Sequence, residues 1–200
     1  MSERIIGLTG LYCAGKNYVG EILVRKGFAV LDVDKLGHRV IETEQAAIME
    51  RFGKDIVEHG RVNRRLLGEK VFGNPTELAA LEMIIHPYVN ALIEDWAAGN
   101  KNCVINAALL HRTSIFLRLD AILIVKAPLF VRLIRAKLRD RLPWFSIIRR
   151  FRSQKFSFPL KFSHEVAENR RSIYIINNVG RESEKQIEKV VDELTRILLL

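Results

Sequence analysis

Five short apolar runs constrain the fold of this 200-residue chain more than any other feature. The runs lack the polar alternation of half-exposed strands, which is typical of parallel strands covered on both faces. Helical patterns separate them, and strands that alternate with helices predict a doubly wound α/β sheet. The predicted strands are Ile5–Leu8, Ala29–Leu31, Cys103–Ile105, Ala121–Val125 and Ile173–Ile176.

Helical patterns fill the intervals between these runs. One helical pattern covers Asn17–Arg25. The last helical pattern of the chain places apolar residues on one face from Ile187 to Leu198. Residues 35–100 have no convincing strand pattern, only helical stretches separated by turn signals. We therefore expect a helical insertion after the second strand, closing one side of a cleft. After the fourth strand, one helical face carries Phe130, Leu133, Ile134 and Leu138.

Composition excludes several classes of protein. With 48% hydrophobic residues and 28% charged residues, the chain can bury a core, which excludes a disordered protein and a coiled coil. No signal peptide is visible, and no apolar stretch approaches the roughly 20 residues that span a bilayer. Cys13 and Cys103 have neither zinc-site nor disulfide-framework spacing. We therefore expect reduced thiols and a cytoplasmic location.

The net charge of +9 is concentrated in one segment. Between Val131 and Lys155 nine residues are basic and only Asp140 is acidic, which favours a small polyphosphate ligand over a long polyanion. On the predicted helix, Arg132, Arg135 and Arg139 share one face that could clamp such a ligand.

Aromatic residues interleave with these basic residues and leave a second interpretation open. The pattern is also compatible with a module that binds single-stranded nucleic acid or an anionic membrane surface. The aromatic residues are Trp144, Phe145, Phe151, Phe156, Phe158 and Phe162.

A glycine-containing loop lies between the first predicted strand and the first predicted helix. Residues Gly10 to Lys16 fit the pattern G-x-x-x-x-G-K. In this pattern the glycines let backbone N–H groups face a polyphosphate, the helix N-terminus adds its dipole, and Lys16 can reach the β- and γ-phosphates. The loop predicts a nucleotide site. Within it, we expect Cys13 to fill a small space, with an oxidisable thiol as the alternative.

Two carboxylates, Asp32 and Asp34, follow the second predicted strand. Ligands gather at the carboxyl ends of strands in open α/β sheets, so Asp34 could accept the proton of a hydroxyl that attacks a phosphate. The alternative is that Asp34 only caps the helix that follows. Asp32 is expected to be a supporting or metal-linked group. The nucleic-acid and membrane interpretations explain neither Asp34 nor the loop, so we expect no nucleic acid and no stable membrane insertion.

Taken together, these motifs resemble the dephospho-coenzyme A kinase family. The sequence GLTGLYCAGKN and Asp32-Val33-Asp34 match the phosphate loop of that family and its D-x-D motif. Ordered matches continue along nearly the whole chain, at Phe52-Gly53, Gly60-Arg61-Val62-Asn63-Arg64, Leu67, Val71-Phe72, Ile85-His86-Pro87, Ala107-Ala108-Leu109-Leu110, Arg135, Arg139-Asp140, Arg150, Gln154 and Ile176-Asn177-Asn178-Val179-Gly180.

The resemblance implies a fold and a reaction. The fold is the P-loop kinase type, a doubly wound parallel five-stranded sheet with a helical substrate-binding insertion and an arginine-rich lid. The single domain would have a core of residues 1–34, 101–139 and 166–200, an insertion of residues 35–100 and a lid of residues 140–165. The reaction is transfer of the ATP γ-phosphate to the ribose 3′-hydroxyl of dephospho-CoA, the last step of coenzyme A biosynthesis. Mg²⁺ would be the cofactor, and a monomer is expected, with an oligomer as the alternative.

The resemblance also implies site residues. Asp34 would be the base, aided by Lys16 and Arg139. The acceptor pocket would include Asp34, His38, Arg64, His86, Leu109 and Arg135, although neither His86 nor His111 is expected to act as an acid or base. The metal would be held by Asn17 and Asp32. The ATP site would comprise Gly10, Leu11, Tyr12, Cys13, Ala14, Gly15, Lys16, Asn17, Tyr18, Arg139, Arg150 and, near the adenine, Asn178.

Four residues depart from the family pattern. Asn17 stands in place of Ser or Thr, Asn106 in place of Asp, Arg112 in place of Glu, and His38 in place of Arg. Asn17 and Asn106 lie at expected Mg²⁺ positions, where each exchanges a stronger ligand for an amide. We predict a retained but weaker or differently coordinated Mg²⁺ site. The alternative is a divergent kinase for another nucleoside-like acceptor.

Overall fold

The computed structural model describes residues 4–155, 172–180 and 182–199. Predictions for Phe156, Phe158, Phe162, the lid beyond residue 155 and the first part of the last core segment lie outside the described residues. The chain divides into two compact units, one of residues 1–31 and 96–200 and the other of residues 32–95. Within the described part of the chain, no helix has both the length and the apolar character needed to cross a membrane.

Strands and helices alternate along the chain as the apolar runs predict. Short 3₁₀ turns occur at Lys54–Ile56, Leu110–Arg112 and Ser114–Arg118. The elements in chain order are β1 (Ile5–Gly10), α1 (Lys16–Arg25), β2 (Ala29–Asp32), α2 (Val33–Thr43), α3 (Gln45–Phe52), β3 (Val57–Glu58), β4 (Arg61–Val62), α4 (Arg64–Val71), α5 (Pro75–Ala98), β5 (Cys103–Asn106), β6 (Ala121–Lys126), α6 (Leu129–Asp140), α7 (Trp144–Lys155), β7 (Ser172–Asn177) and α8 (Glu182–Leu199).

Five strands form one parallel sheet in the order β2-β5-β1-β6-β7, which confirms the predicted α/β class and all five predicted strands. β1 occupies the centre and all six of its residues are buried, because helices cover both faces of a sheet of this kind. The register pairs Leu8 with Asn106 and Gly10 with Val125. The parallel direction therefore brings the loop after β1 and the carboxyl end of β5 to the same edge of the sheet.

The core of the first unit lies between this sheet and the helices α1 and α8. Apolar side chains of β1, β5 and β6 meet Val19 and Leu23 of α1. From α8, Ile187, Val191 and Leu194 pack into the same cluster, which confirms the apolar face predicted for this helix over its described side chains. The core fixes α1 behind β1 and thereby fixes the loop that joins them.

Helix α6 forms where the sequence predicts a helix, and two arginines of its basic face, Arg132 and Arg135, are buried or partly buried, whereas Arg139 is exposed. Phe130, Ile134 and Leu138 are 65%, 54% and 73% exposed, whereas Arg132 is 7% exposed and Ala136 is fully buried. A long arginine stem is apolar along its length, so such a side chain can be buried when its guanidinium finds acceptors.

The second unit has its own core, which includes Ile48 and Phe52 of α3, Ile56 of the 3₁₀ turn after it, and Leu67 and Val71 of α4. It also contains an antiparallel hairpin of β3 and β4.

The expectation of no strand between residues 35 and 100 is therefore wrong at this hairpin. Two-residue strands are too short to show a periodic pattern. The turn between them, His59-Gly60, has φ values of 52° and 76°, which a two-residue hairpin turn requires, but its first residue is not one of the usual Asn, Asp or Gly.

Candidate active site

The loop between β1 and α1 has the geometry of an anion site. Cys13 and Gly15 have φ values of 57° and 95°, and the Ala14 N–H donates to the Leu11 carbonyl over 2.9 Å. Gly15 is the N-cap of α1, and among the described residues no side chain caps this N-terminus. The first N–H groups of a helix lack partners within the helix and carry the positive end of its dipole, so they attract an anion.

Side chains from α6 and from the segment after β7 hold the carbonyl oxygens of this loop. Arg132 Nε donates to the Tyr12 carbonyl over 2.8 Å. The Ala14 carbonyl accepts from a terminal nitrogen of Arg135 over 3.2 Å and from Asn178 Nδ2 over 2.9 Å. Arg135 also donates to the Asn178 carbonyl over 3.1 Å.

This arrangement sets the direction of the loop's N–H groups. In a trans peptide the carbonyl and the N–H of the next residue point in opposite directions. Since the Tyr12 and Ala14 carbonyls are held toward α6 and Asn178, the N–H groups of Cys13 and Gly15 face the other way. The hydrogen bonds to the Tyr12 and Ala14 carbonyls therefore orient two N–H groups toward a position where an anion could bind. Arg132 and Arg135 have this effect without having to contact the anion themselves.

Two glycines are required because other atoms approach them closely. A Cβ on Gly15 would collide with Asn178 Nδ2 and would lie 3.4 Å from a terminal nitrogen of Arg135. A Cβ on Gly10 would lie 2.6 Å from the Val125 carbonyl oxygen on the neighbouring strand. The absence of side chains at Gly10 and Gly15 thus lets the loop lie against the sheet and against Asn178.

Asn17 and Asn106, the two amides at expected metal positions, are in contact. Asn106 Nδ2 donates to Asn17 Oδ1 over 3.1 Å. Asn106 is 2% exposed, and its Oδ1 is buried without a hydrogen-bond partner among the described residues. The pair joins the end of β5 to the first turn of α1. Buried polar atoms are normally satisfied, so this oxygen is available to a donor or a cation.

Beside the loop, Tyr12 takes part in a cluster with Asp140, Arg139 and Arg150. Asp140 accepts hydrogen bonds from all three of these residues. The Arg139 guanidinium lies 5.1 Å from the centre of the Tyr12 ring. Sequence reasoning missed the importance of Asp140, although a single acid among nine basic residues was a visible signal.

Cys13 lies half-buried in the loop and is surrounded by four arginines. Burial raises the pKa of its thiol, and the positive charges of Arg139, Arg132, Arg135 and Arg150 oppose the rise without cancelling it. A protonated thiol is a poor nucleophile, which supports the expectation that Cys13 fills space.

The other predicted site residues of this unit lie in α1, after β5 and after β7. Lys16 is the first residue of α1 and is partly buried. The Tyr18 hydroxyl donates to Glu184 Oε1 over 2.9 Å, and this bond raises the pKa of the phenol. Leu109 and Arg112 follow β5 and are exposed. Asn178 is buried against the loop, and its adenine contact stays a prediction.

In the second unit, Asp32 rather than Asp34 caps α2. Asp32 Oδ1 accepts from the Lys35 N–H over 3.1 Å, and Oδ2 lies 3.8 Å from Lys35 Nζ. The alternative that Asp34 only caps the helix is therefore wrong. Asp34 lies exposed in the first turn of α2, and His38, also exposed, follows it by four residues on the same helix face.

Arg64 and His86, two further predicted acceptor residues, also lie in the second unit. Arg64 is exposed at the start of α4, and His86 is partly buried within α5. Their contact with an acceptor stays a prediction.

Comparison with known proteins decides which family has this arrangement. Residues 4–184 match the family model CoaE, dephospho-CoA kinase. The chain is 31% identical to the dephospho-CoA kinase of Latilactobacillus sakei over 184 residues, which is 88% of this chain and 87% of that enzyme. It is 31% identical to the dephospho-CoA kinase of Thermus thermophilus over 195 residues, 96% of this chain and 92% of that enzyme.

This chain belongs to the dephospho-CoA kinase family. It is accordingly a kinase, an enzyme that transfers a phosphoryl group, and the family uses ATP as the donor. Solved structures agree. The crystal structure of TT1252 from T. thermophilus is 28% identical and covers 99% of each chain with a TM-score of 0.80. Shikimate kinase from Bacteroides thetaiotaomicron, at 19% identity and full coverage with a TM-score of 0.51, shares the fold alone.

Two residues that the family pattern implies for different ligands meet at the same loop carbonyl. Arg135, predicted for the acceptor pocket, and Asn178, predicted near the adenine, both donate to the Ala14 carbonyl. Arg132 adds a third bond to the same loop and was not singled out individually by the family pattern. The hydrogen bonds described for these three side chains thus all go to backbone carbonyls.

Proposed function

We propose that this chain phosphorylates the ribose 3′-hydroxyl of dephospho-CoA with ATP, giving coenzyme A and ADP. The observation that carries the proposal is the loop of residues 10–18, in which Arg132, Arg135 and Asn178 hold the Tyr12 and Ala14 carbonyls, so that the N–H groups of Cys13 and Gly15 point away from these side chains. Phosphoryl transfer depends largely on positioning and on compensation of charge, to which these N–H donors and the N-terminus of α1 would contribute.

Asp34 is proposed as the base, with Lys16 and Arg139 as the charges that stabilise the transferring phosphoryl group. Asp34 follows β2 by two residues, and the cap of α2 is already supplied by Asp32. The carboxylate of Asp34 is thus not needed to start the helix. His38, Arg64, His86 and Leu109 are proposed to contact the acceptor, and Arg150 to contact ATP.

Magnesium is the cofactor that the family implies, and the donor atoms of this chain fit it weakly. Among the described residues, no group of three or more His, Cys, Asp or Glu side chains could hold a metal ion. Asn17 Oδ1 and the partnerless Asn106 Oδ1 are neutral oxygens, which a hard cation accepts. We propose that ATP phosphates supply most of the ligands, assisted by Asn17 and Asp32. When bound, the ion would offset charge on the β- and γ-phosphates.

The metal proposal is tested by nucleotide binding. The affinity for a fluorescent ATP analogue is measured with Mg²⁺ and with a chelator, in the native chain and in Asn17→Ser/Asn106→Asp. The native chain should bind the analogue more tightly with Mg²⁺ than with the chelator, and the double variant should show a larger difference of the same sign. Equal metal dependence in the two proteins would contradict the proposal.

The function itself is tested by incubating the purified chain with ATP, Mg²⁺ and dephospho-CoA, with mass spectrometry of the product. A mass gain of one phosphate at the ribose is expected. Asp34→Asn should lower kcat by about 10²-fold or more, because a general base contributes that much. Asp95→Asn, which removes an exposed carboxylate from α5 of the same unit, is the matched control. Full activity of Asp34→Asn would refute the role of Asp34, and phosphorylation of adenosine instead of dephospho-CoA would favour a divergent acceptor.

The remaining predictions concern assembly and environment. A monomer is expected in light scattering, and a cytoplasmic location in cell fractionation. Little salt-sensitive retention on single-stranded DNA or on anionic vesicles is expected, since all four arginines beside the loop already have acceptors: Arg132 and Arg135 bond to loop carbonyls, and Arg139 and Arg150 bond to Asp140. Strong retention would revive the binding-module interpretation.

A further inference from the structure

Asp140 places a carboxylate at the C-terminal end of α6, where a negative charge is unfavourable. It is the last residue of α6, where the helix dipole disfavours a negative charge, and its side chain is only 14% exposed. A carboxylate that is both partly desolvated and placed at the negative end of a helix requires compensation from its neighbours. The neighbours of Asp140 therefore indicate why it is there.

One carboxylate joins three parts of the first unit. Asp140 Oδ1 accepts from Arg139 Nε over 2.7 Å, and Oδ2 accepts from a second nitrogen of Arg139 over 3.3 Å. Oδ2 also accepts from Arg150 of α7 over 3.2 Å and from the Tyr12 hydroxyl. Asp140 thus links α6 and α7 to the phosphate loop.

Aromatic contacts hold the Tyr12 ring at this link. The Tyr12 ring meets the Phe151 ring edge to face, with centroids 5.2 Å apart and an interplanar angle of 78°. The Arg139 guanidinium lies over the Tyr12 ring, and the Arg132 guanidinium lies 4.7 Å from the centroid of the Phe151 ring. The position of the Tyr12 hydroxyl is therefore set by packing as well as by its bond to Asp140.

We propose that Asp140 is a positioning residue for phosphoryl transfer, which holds Arg139 and Arg150 together beside the phosphate loop. Two guanidinium groups repel each other, and the negative charge of a carboxylate between them offsets this repulsion. The trio of Asp140 with the two arginines keeps a net positive charge, so it still attracts polyphosphate. Arg139 uses two of its five N–H donors on Asp140 and so is oriented before ATP arrives.

This inference rests on the proposed function, since it assumes that the loop binds ATP phosphates. Its consequence is a specific dependence between residues. The carboxylate helps ATP only through the arginines, and without them its own negative charge would repel the phosphates. Loss of the Asp140 charge should therefore weaken ATP binding in the native chain and should leave it unchanged, or improve it, when Arg139 and Arg150 are absent.

The test measures the Kd of a fluorescent ATP analogue, and kcat and KM for ATP, in four proteins: native, Asp140→Asn, Arg139→Ala/Arg150→Ala, and the triple variant. We expect Asp140→Asn to lower kcat/KM by about tenfold to a hundredfold, the range for a misplaced catalytic group. The triple variant should bind the analogue as well as, or better than, the double variant. Asp192→Asn, which removes an exposed negative charge from α8, should match the native chain.

Two outcomes would overturn the inference. If the single variant Asp140→Asn binds the analogue more tightly than the native chain does, Asp140 competes with ATP for the two arginines instead of positioning them. An equal loss in both backgrounds would show that Asp140 only supports the packing of α6 and α7. Tyr12→Phe, which keeps the ring, should show a smaller loss of the same kind, and it remains informative if Asp140→Asn folds poorly. Failure of the native chain to phosphorylate dephospho-CoA would refute the proposed function alone, because nucleotide binding is measured without an acceptor.

Discussion

Gly15→Ala should destabilise the chain strongly, for two reasons that the structure separates. Gly15 has a φ of 95°, and a residue with a Cβ pays roughly 1–2 kcal/mol to adopt left-handed backbone. The new Cβ would also collide with Asn178 Nδ2, which donates to the Ala14 carbonyl. Loss of one buried hydrogen bond costs about 1–3 kcal/mol. The combined loss is about 2–5 kcal/mol, a large part of the roughly 5–15 kcal/mol that stabilises a folded protein.

The assay is urea unfolding followed by the fluorescence of the two tryptophans, with the midpoint as the measured quantity. In Gly15→Ala/Asn178→Ala the collision is absent. The loss of free energy of unfolding in this double variant should therefore be about 1–2 kcal/mol smaller than the sum of the losses in the two single variants. Gly20→Ala is the matched control, because a Cβ at this helical position would meet its nearest atom, Leu8 Cδ2, at an ordinary 3.6 Å. That substitution should stabilise the chain by about 0.5–1 kcal/mol.

Two results would refute this reasoning. A Gly15→Ala midpoint equal to that of the native chain would mean that neither the backbone conformation nor the approach of Asn178 is as described. If the losses of free energy of unfolding in Gly15→Ala and Asn178→Ala simply add in the double variant, the new Cβ at position 15 does not collide with the Asn178 side chain.

Three further predictions concern thiol reactivity, a buried cation and acid stability. Because burial raises the pKa of Cys13, its alkylation by iodoacetamide near neutral pH should be slower than that of free cysteine, with Cys103, which is fully buried, slower still in peptide mass spectra. Arg132→Ala should lower the free energy of unfolding by about 2–3 kcal/mol, since it removes a charged donor from a loop carbonyl. A hydrogen bond from Lys70 lowers the pKa of Asp55, so the destabilisation by Asp55→Asn should be present at neutral pH and vanish as the pH falls through that lowered pKa.

Each of these has a contrary outcome. Alkylation of Cys13 faster than that of free cysteine would show that the neighbouring arginines outweigh burial. An unchanged unfolding midpoint for Arg132→Ala would show that the Tyr12 carbonyl is satisfied by water. A difference between Asp55→Asn and the native chain that grows in acid would reverse the sign of the inferred pKa shift.

The sheet and the loop could be predicted from sequence because both depend on local patterns. A strand covered on both faces must be apolar throughout, so Ile5–Leu8 and Ala121–Val125 stand out as runs, and the observed strands extend them by only one or two residues. The loop is defined by glycines at fixed spacing between a strand and a helix. Its position at the edge of the sheet follows from the parallel topology.

The contacts that complete the site could not be predicted in this way, because they join distant parts of the chain. Tyr12 and Asp140 are 128 residues apart, and Asn178 reaches a carbonyl 164 residues away. No periodicity links such positions. The contact of Asn17 with Asn106 could not be predicted for the same reason. In the sequence, each amide is a separate replacement of a metal ligand, and only the register of β1 and β5 shows that the two side chains are neighbours.

The orientation of α6 follows from the needs of the loop rather than from hydrophobicity. By apolar burial alone, Phe130 and Ile134 would face the core, yet they are exposed and Arg132 is buried. The loop presents the Tyr12 carbonyl to α6, and a buried carbonyl without a donor costs about 1–3 kcal/mol, which is comparable to the gain from burying one large apolar side chain. Arginine supplies the donor at the end of an apolar stem, so it can fill the space and satisfy the oxygen together. Two of the basic residues of this segment, Arg132 and Arg135, therefore hold the backbone of the loop, whereas Arg139 and Arg150 are grouped around Asp140.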